Sequence, residues 1–461
     1  DDGGRSWSPV DAPSSHWSHS HWLCADFRDA NSGAIAGRNG QLSIVATKGA
    51  IKSRTPDLGL RSIRDLQINR DGTGWLVGDG GLVMTTDDAG LSWQLPRRAI
   101  PPAARHEMDF TSVATAGGHV WAVGSPGSLV LHSPDGGQSW ELLRTGQSLP
   151  LHSITFIDQQ RGWAVGALGT ILHTADGGAS WQRQRSGGTR AGLLCIVADE
   201  HDVPWEMLAR LGADEGYFCV AKVIGRRNEV AFSTTSANED RLMDAVVRSG
   251  GSTATMSWQF PLRPRAMDLS EKRVVAHWNV THDGRAIPTL KADLIRTIRT
   301  WRPDVIITSG DAATAAESRI VGQLVREAAK AAGDSTVYAE QLTHAELATW
   351  QTSKVFTICG KDEAGDISVS SAALALRLGT SLSDFTQTAR GRVASVIEPA
   401  QPLTEFRLHA HRVSQAAARR DFFSGITMHP GGEARRRIGE VQPGNIDALR
   451  KLAQRRRHVE Q

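Results

Sequence analysis

Thr174–Trp181 reads T-A-D-G-G-A-S-W, and its last six residues follow the pattern D-x-G-x-S-W. The pattern recurs at Asp2–Trp7, Asp88–Trp93 and Asp135–Trp140. Thr86, Ser133 and Thr174 each stand two residues before the Asp of their copy. A second landmark, W-x-V-G, runs in phase with the first at Trp75–Gly78, Trp121–Gly124 and Trp163–Gly166, with a weaker copy at Ala34–Gly37. Its final glycines, Gly37, Gly78, Gly124 and Gly166, are 41, 46 and 42 residues apart. Trp7 and Trp93 are two such periods apart, so one box is missing, and its place falls near Thr47, Lys48 and Gly49.

A period in the forties with four short strands per unit is the mark of a β-propeller blade. Leu151–Ile157, Gly162–Gly166 and Thr170–His173 read as three strands, and Ser180–Gln184 begins a fourth. The box then lies in the hairpin between the third and fourth strands. Asp88, Asp135 and Asp176 are expected to accept backbone N–H groups of their own turns, and the glycine supplies the backbone freedom. Trp93, Trp140 and Trp181 are expected to bury apolar area between blades.

These boxes resemble the BNR or Asp-box repeats of sialidase-type propellers. The W-x-V-G companion resembles more closely the propellers of the photosystem II assembly and stability factor family, over residues 1–186. Sialidase chemistry needs a Tyr nucleophile, and residues 1–186 contain no Tyr. The resemblance therefore implies a propeller whose face binds a protein partner. About four blades are fewer than most closed propellers have, so further blades are expected outside these residues.

After Ser186-Gly187-Gly188, with 187–190 as linker, the pattern changes to strands alternating with helices. Leu193–Ala198, Tyr217–Ile224, Val305–Thr308 and Lys354–Cys359 read as strands. Trp205–Leu211, Glu239–Arg248, Leu290–Trp301 and Glu317–Ala332 read as helices. Alternation of this kind predicts an α/β, Rossmann-like, doubly wound domain over 191–400, followed by a basic segment over 401–461. Ligands of such sheets sit where the strands end. Two strand ends here are polar: Asp199-Glu200-His201-Asp202 and Ser309-Gly310-Asp311.

That order, with Trp301–Thr308 as the best local match, resembles the LmbE-like or PIG-L family of zinc-dependent N-acetylglucosaminyl deacetylases over about 191–360. The family loop reads A-H-P-D-D-E. The resemblance places Asp199 where a zinc-ligand His stands, His201 at the general base, and Asp202 at the second ligand Asp. Ser318 falls at the later ligand His. Only one of three protein ligands is kept by type, which implies a degenerate site, a pseudoenzyme. No cofactor is expected. If the site works in remodelled form, Asp199, Asp202 and Asp311 would hold zinc or another divalent cation, and His201 would act as acid or base. Three functions follow: a non-catalytic interaction or assembly protein, a metal-dependent N-acetyl-sugar deacetylase, or a carbohydrate-binding protein.

Composition narrows the field. Net charge is +3 over 461 residues. Residues 401–461 carry 12 Lys/Arg against 6 Asp/Glu, and the remainder is slightly acidic. Arg435–Arg437, Arg455–Arg457 and a basic helix over Asn445–Arg456 lack an aromatic platform, so no nucleic-acid partner is expected. No apolar run is long enough for a membrane span. Cys24, Cys195, Cys219 and Cys359 form no C-x-x-C, and Cys195 and Cys219 read as buried thiols. His277 and His282-Asp283-Gly284 are expected in a loop before a helix, and His409 and His411 on a half-exposed strand. Asp-box propellers and sugar-modifying domains both point to the cell envelope, a fold-level analogy.

Overall fold

A computed structural model of the protein describes residues 5–6, 21–29, 32–46, 50–53, 58–227, 238–262, 269–361, 363–393 and 399–427. Asp2, Trp7, the gap at Thr47–Gly49 and the arginine runs near the C-terminus lie outside them.

The repeat builds four small antiparallel sheets, each in simple up-and-down order. Blade 1 comprises β1 (Trp22–Asp29), β2 (Ser32–Gly37), β3 (Leu42–Ala46) and β4 (Ala50–Ser53). Blade 2 comprises β5 (Ile63–Ile68), β6 (Gly74–Gly78) and β7 (Leu82–Thr86), with a bridge from Thr85 to Gln94 in place of a fourth strand. A short helix α1 (Pro102–Glu107) leads to blade 3: β8 (Asp109–Ala116), β9 (His119–Ser125), β10 (Leu129–Ser133) and β11 (Glu141–Arg144). Blade 4 comprises β12 (Leu151–Phe156), β13 (Gly162–Gly166), β14 (Thr170–Thr174) and β15 (Gln182–Arg185).

Each described box closes the same network. Asp176 Oδ1 accepts from the Ser180 backbone N–H at 2.9 Å, and the Thr174 hydroxyl accepts from Gly178 N–H at 2.9 Å. Asp135 with Ser139 (2.7 Å) and Asp88 with Ser92 (2.8 Å) repeat the first bond. Ser133 with Gly137 (2.7 Å) and Thr86 with Gly90 (3.0 Å) repeat the second. Gly90, Gly137 and Gly178 have φ of 85°, 85° and 96°, which only glycine adopts without strain. The turn thus satisfies its own polar groups and fixes where the tryptophan leaves it.

The tryptophans join the blades. Trp93 packs in the cluster shared by blades 1 and 2. Trp140 packs in that of blades 2 and 3, edge-on to Trp75 at 5.3 Å. Trp181 packs in that of blades 3 and 4, edge-on to Phe156 at 6.2 Å. Each box tryptophan therefore reaches back to the preceding blade. The W-x-V-G tryptophans reach forward: the fully buried Trp121 donates its indole N–H to the Gly177 carbonyl at 2.8 Å.

The second half is a seven-stranded sheet in the order β18-β17-β16-β19-β20-β24-β21. Its parallel strands are β16 (Leu193–Val197), β17 (Cys219–Arg227), β18 (Thr253–Leu262), β19 (Val305–Ser309) and β20 (Lys354–Ile358). Then follow β21 (Ile367–Ser370), a hairpin of β22 (Leu374–Ala375) and β23 (Thr380–Ser381), and β24 (Leu403–His411). β24 pairs antiparallel with both β20 and β21. It lies beyond residue 400, where the sequence pattern suggested a separate segment, yet it completes this sheet. The helices are α2 (Trp205–Leu208), which runs on into a widened turn over Ala209–Asp214, α3 (Asn238–Arg248), α4 (Glu271–Thr281), α5 (Ala286–Trp301), α6 (Ala316–Ala331), α7 (Glu340–Thr343), α8 (Leu382–Val393) and α9 (Gln415–Ala418). Side chains alternating along the strands enter two separate cores, one with α2, α3 and α8 and one with α4, α5 and α6. His277 lies on α4 and His282 caps its end, which corrects the expected loop. The His282 ring stacks on Phe260 at 4.6 Å.

All four blades meet the α/β unit, through residues at the start of the first strand and in the turn between the second and third. Arg38 pairs with Glu239 and Asp240, and Arg64 bridges Asp79 and Glu239. The Trp258 indole donates to Asp109 at 3.2 Å. Ser148 donates to the Thr300 carbonyl at 2.9 Å. Leu149 and Ala167 join the core cluster of Leu194, Ile196 and Trp301.

Candidate functional site

The topological switch point lies between β16 and β19, where the chain first winds one way to β17 and β18, then the other way to β20. The loop after β16 turns tightly. Asp199 caps the single turn Glu200–Asp202 and accepts from the His201 backbone N–H at 3.0 Å. The same oxygen lies 2.8 Å from His201 Nδ1. Asp199, Glu200 and His201 each bring one ligand atom within 4.8 Å of the others. Asp202 is not in this group; it accepts a short hydrogen bond from the Ser318 hydroxyl, at the start of α6. Gly322 lets α6 approach: a Cβ there would fall 2.1 Å from the Ser309 carbonyl oxygen.

Asp311 does not join the cluster. Its side chain is 82 % exposed and pairs with Arg326. Of the three carboxylates Asp199, Asp202 and Asp311, only Asp199 stands in the cluster with Glu200 and His201; Asp202 contacts Ser318 and Asp311 pairs with Arg326. The resulting set offers one imidazole and two carboxylates. Catalytic zinc more often takes two or three histidines, so the composition fits a harder cation better. Thr308 Oγ1 and Ser309 Oγ, at the end of β19, are buried and make no hydrogen bond among the described residues.

A second site lies in the propeller, on residues that repeat reading passes over. His119 and Trp121 are two apart on β9 and share a face. His132 stands opposite Trp121, and Glu141 stands opposite His132. Cross-strand register alone thus lines up a relay. His119 Nδ1 is 3.0 Å from His132 Nε2, and His132 Nδ1 is 2.8 Å from Glu141. The Nδ1-protonated tautomer of His132 donates to Glu141 and can accept from His119 at Nε2. Burial pulls the His119 imidazole below its ordinary range, and the neighbouring His132 adds to the effect. Trp121 stacks between this pair and Phe156, 3.7 Å away at 7°. The relay opens into a groove of about 250 Å³ between blades 3 and 4, lined also by Gln159, Gln160 and Asp176. The available signal was a histidine at one repeat position, His132 and His173, where blade 2 has Thr85.

Cys195 and Cys219 are fully buried. Burial pushes the Cys195 thiol up to about 12 and the Cys219 thiol higher still. Among the described residues no helix is long and apolar enough to cross a membrane.

Comparison with known proteins agrees with the propeller. Residues 54–153, mainly blades 2 and 3, match the family model of the photosynthesis system II assembly factor YCF48. The photosystem II assembly protein Ycf48 of Synechococcus sp. (strain JA-3-3Ab) is 34% identical over 115 residues, 24% of this chain and 33% of that protein. Its counterpart in Synechococcus sp. (strain JA-2-3B'a(2-13)) is 27% identical over 186 residues, 37% of this chain and 50% of that one. The chain thus spans half or less of these relatives. A solved structure of YCF48 bound to a D1 peptide is 31% identical and covers 29% of this chain and 43% of that one, at a TM-score of 0.25. An N,N'-diacetylchitobiose deacetylase from Pyrococcus horikoshii covers 47% of this chain and 84% of its own, at 13% identity and a TM-score of 0.34.

Proposed function

We propose that the protein is a non-catalytic interaction and assembly factor, whose propeller holds a segment of a protein partner and whose α/β unit braces the blades. The observation that carries this reading is the match of residues 54–153 to an assembly-factor family, within a region that lacks the Tyr of the enzymatic Asp-box propellers. The α/β unit occupies one end of all four blades. That leaves the box-bearing side for a partner, and the blade 3–4 groove is a recess on it. Imidazole, amide and carboxylate groups there suit the backbone and polar side chains of an extended peptide.

The test is a display library of unstructured peptides panned against the purified chain. Enriched peptides should bind equally well in EDTA, and His119→Ala with Glu141→Ala should weaken them at least tenfold. Binding that needs a metal, or that ignores both substitutions, contradicts the reading.

One observation favours a second reading, a metal-dependent deacetylase with a rebuilt site: the convergence of Asp199, Glu200 and His201 after β16, whose neighbour β19 ends in the buried hydroxyls of Thr308 and Ser309. Metal analysis after dialysis separates the two. Near-stoichiometric zinc, manganese or iron that falls away in His201→Ala favours the enzyme, and contents far below one per chain favour the binding protein.

A further inference from the structure

The residue after the box tryptophan sets blade 3 apart. It is Gln94 in blade 2, Glu141 in blade 3 and Gln182 in blade 4. Each pairs across the sheet with the residue opposite the W-x-V-G tryptophan: Gln94 with Thr85, Glu141 with His132, Gln182 with His173. Two residues before that tryptophan stand Thr73, His119 and Arg161. The hairpin is therefore made twice with a neutral amide at the Glu141 position, and its fold does not require a carboxylate there. Of these three blades, blade 3 has the acid and two histidines in one row, and that row borders the groove of about 250 Å³.

The chemistry of the groove is one-sided. Its lining holds the carboxylates of Glu141 and Asp176, two imidazoles and the amides of Gln159 and Gln160, and among the described residues no Lys or Arg lines it. Asp135 is a third carboxylate, close enough to act on His119. Hydrogen bonds from Ser180 favour the ionised form of Asp176. Burial disfavours the charged form of His119. Arg161, next along the chain from Gln160, pairs with Asp158 at 2.7 Å. In the tautomer in which His132 donates to Glu141, His119 Nδ1 donates to His132 and His119 Nε2 is an acceptor. Gln159 gives its amide N–H to the Gly117 carbonyl at 2.6 Å, which leaves its oxygen as a further acceptor. Acceptors and negative charge without a cation of the chain's own match a ligand group made only of donors. A guanidinium offers its N–H groups in a planar fork that spans several acceptors, where an ammonium offers them from a single point.

We infer that the blade 3–4 groove takes an arginine side chain of the partner segment, with its guanidinium on the Glu141 carboxylate and His119 as a second acceptor. The inference rests on the peptide-binding reading of this groove and names the residue the peptide brings. His132 is a positioning residue: it is 6 % exposed, engaged at both ring nitrogens, and holds Glu141 and His119 in line.

The test uses N-acetylarginine amide and N-acetylcitrulline amide, its uncharged near-isostere. Each is titrated into the 461-residue chain with isotope-labelled histidine rings, and the ring signals of His119 and His132 are followed by NMR. Saturable shifts at millimolar arginine compound are expected, with binding of the citrulline compound weaker by roughly tenfold or more, the worth of a charge-assisted hydrogen bond. Glu141→Gln should weaken the arginine compound by a similar factor and leave circular dichroism unchanged, because blades 2 and 4 carry Gln there. Equal binding of the two compounds overturns the inference, as does arginine binding that survives Glu141→Gln, or the absence of any ring shift at tens of millimolar. The panned peptides separate this result from the broader reading. Peptides that need His119 and Glu141 but carry no arginine overturn the arginine pocket and leave peptide binding standing. Ring shifts with the arginine compound, when no peptide is enriched, support the pocket and overturn peptide binding.

Discussion

Arg299 is fully buried on α5 and donates to the carbonyls of Ala332, Asp334, Val337 and Tyr338 and to the Gln341 side chain. Among the described residues no carboxylate bonds to it; its planar fork ties down the loop between α6 and α7. Replacing it leaves several buried acceptors without a donor, each costing about 1–3 kcal/mol. Arg299→Met should therefore destabilise by at least about 3 kcal/mol in urea unfolding. Arg299→Lys should rescue little, because an ammonium cannot span the same fan of acceptors. The Asp-box carboxylates work at the same scale. Hydrogen bonds from Ser180 hold the Asp176 carboxyl below its usual range. Its stabilising bonds are complete above the unfolded carboxylate value near 3.9 and are lost as pH falls through the lower folded value.

At the scale of the element, a blade is legible from sequence because its defining bonds are local. Asp176 bonds Ser180 and Thr174 bonds Gly178, both four residues apart, so a short motif contains the whole turn. The strands β16, β17, β19 and β20 and the helices α3, α5 and α6 of the α/β half are legible for the same reason, through Pro303 and the continuous apolar runs. What the pattern could not give was register between distant pieces. β24 reaches β20 from some fifty residues away, so its polar, half-exposed face read as a tail. The His119–His132–Glu141 row was missed because it exists only once three strands are paired. The joint between blades 3 and 4 gives a sharp test. Trp121 fills it completely, and Trp121→Ala should cost about 3–5 kcal/mol. Its thermal transition should broaden or split if blade 4 then melts apart from the rest.

Across the whole molecule, the bracing of four blades by the α/β unit rests on contacts between residues some 200 positions apart, such as Arg38 with Glu239. No motif announces them. Burial pushes the Glu239 carboxyl up, but Arg64 and Arg38 outweigh it and hold it at about 2. Because the folded value lies below the unfolded value of about 4.3, the stabilisation is complete above pH 4.3 and disappears as pH falls towards 2. Urea midpoints of the wild type should therefore drop steeply over that window. Glu239→Gln should be weaker at neutral pH and follow a shallower slope in acid; parallel slopes would show that Glu239 does not hold the clamp.

We propose that the α/β unit supports binding and does no chemistry. Asp199 caps its own turn, Asp202 holds Ser318, and Asp311 faces outward with Arg326. The most direct measurement is acetate release from an N-acetylglucosamine conjugate by the purified chain, with zinc, manganese or iron supplied in turn. No release above the protein-free rate is predicted, for the wild type as for Asp199→Ala. Release that needs one of these metals and is abolished by Asp199→Ala would contradict the account.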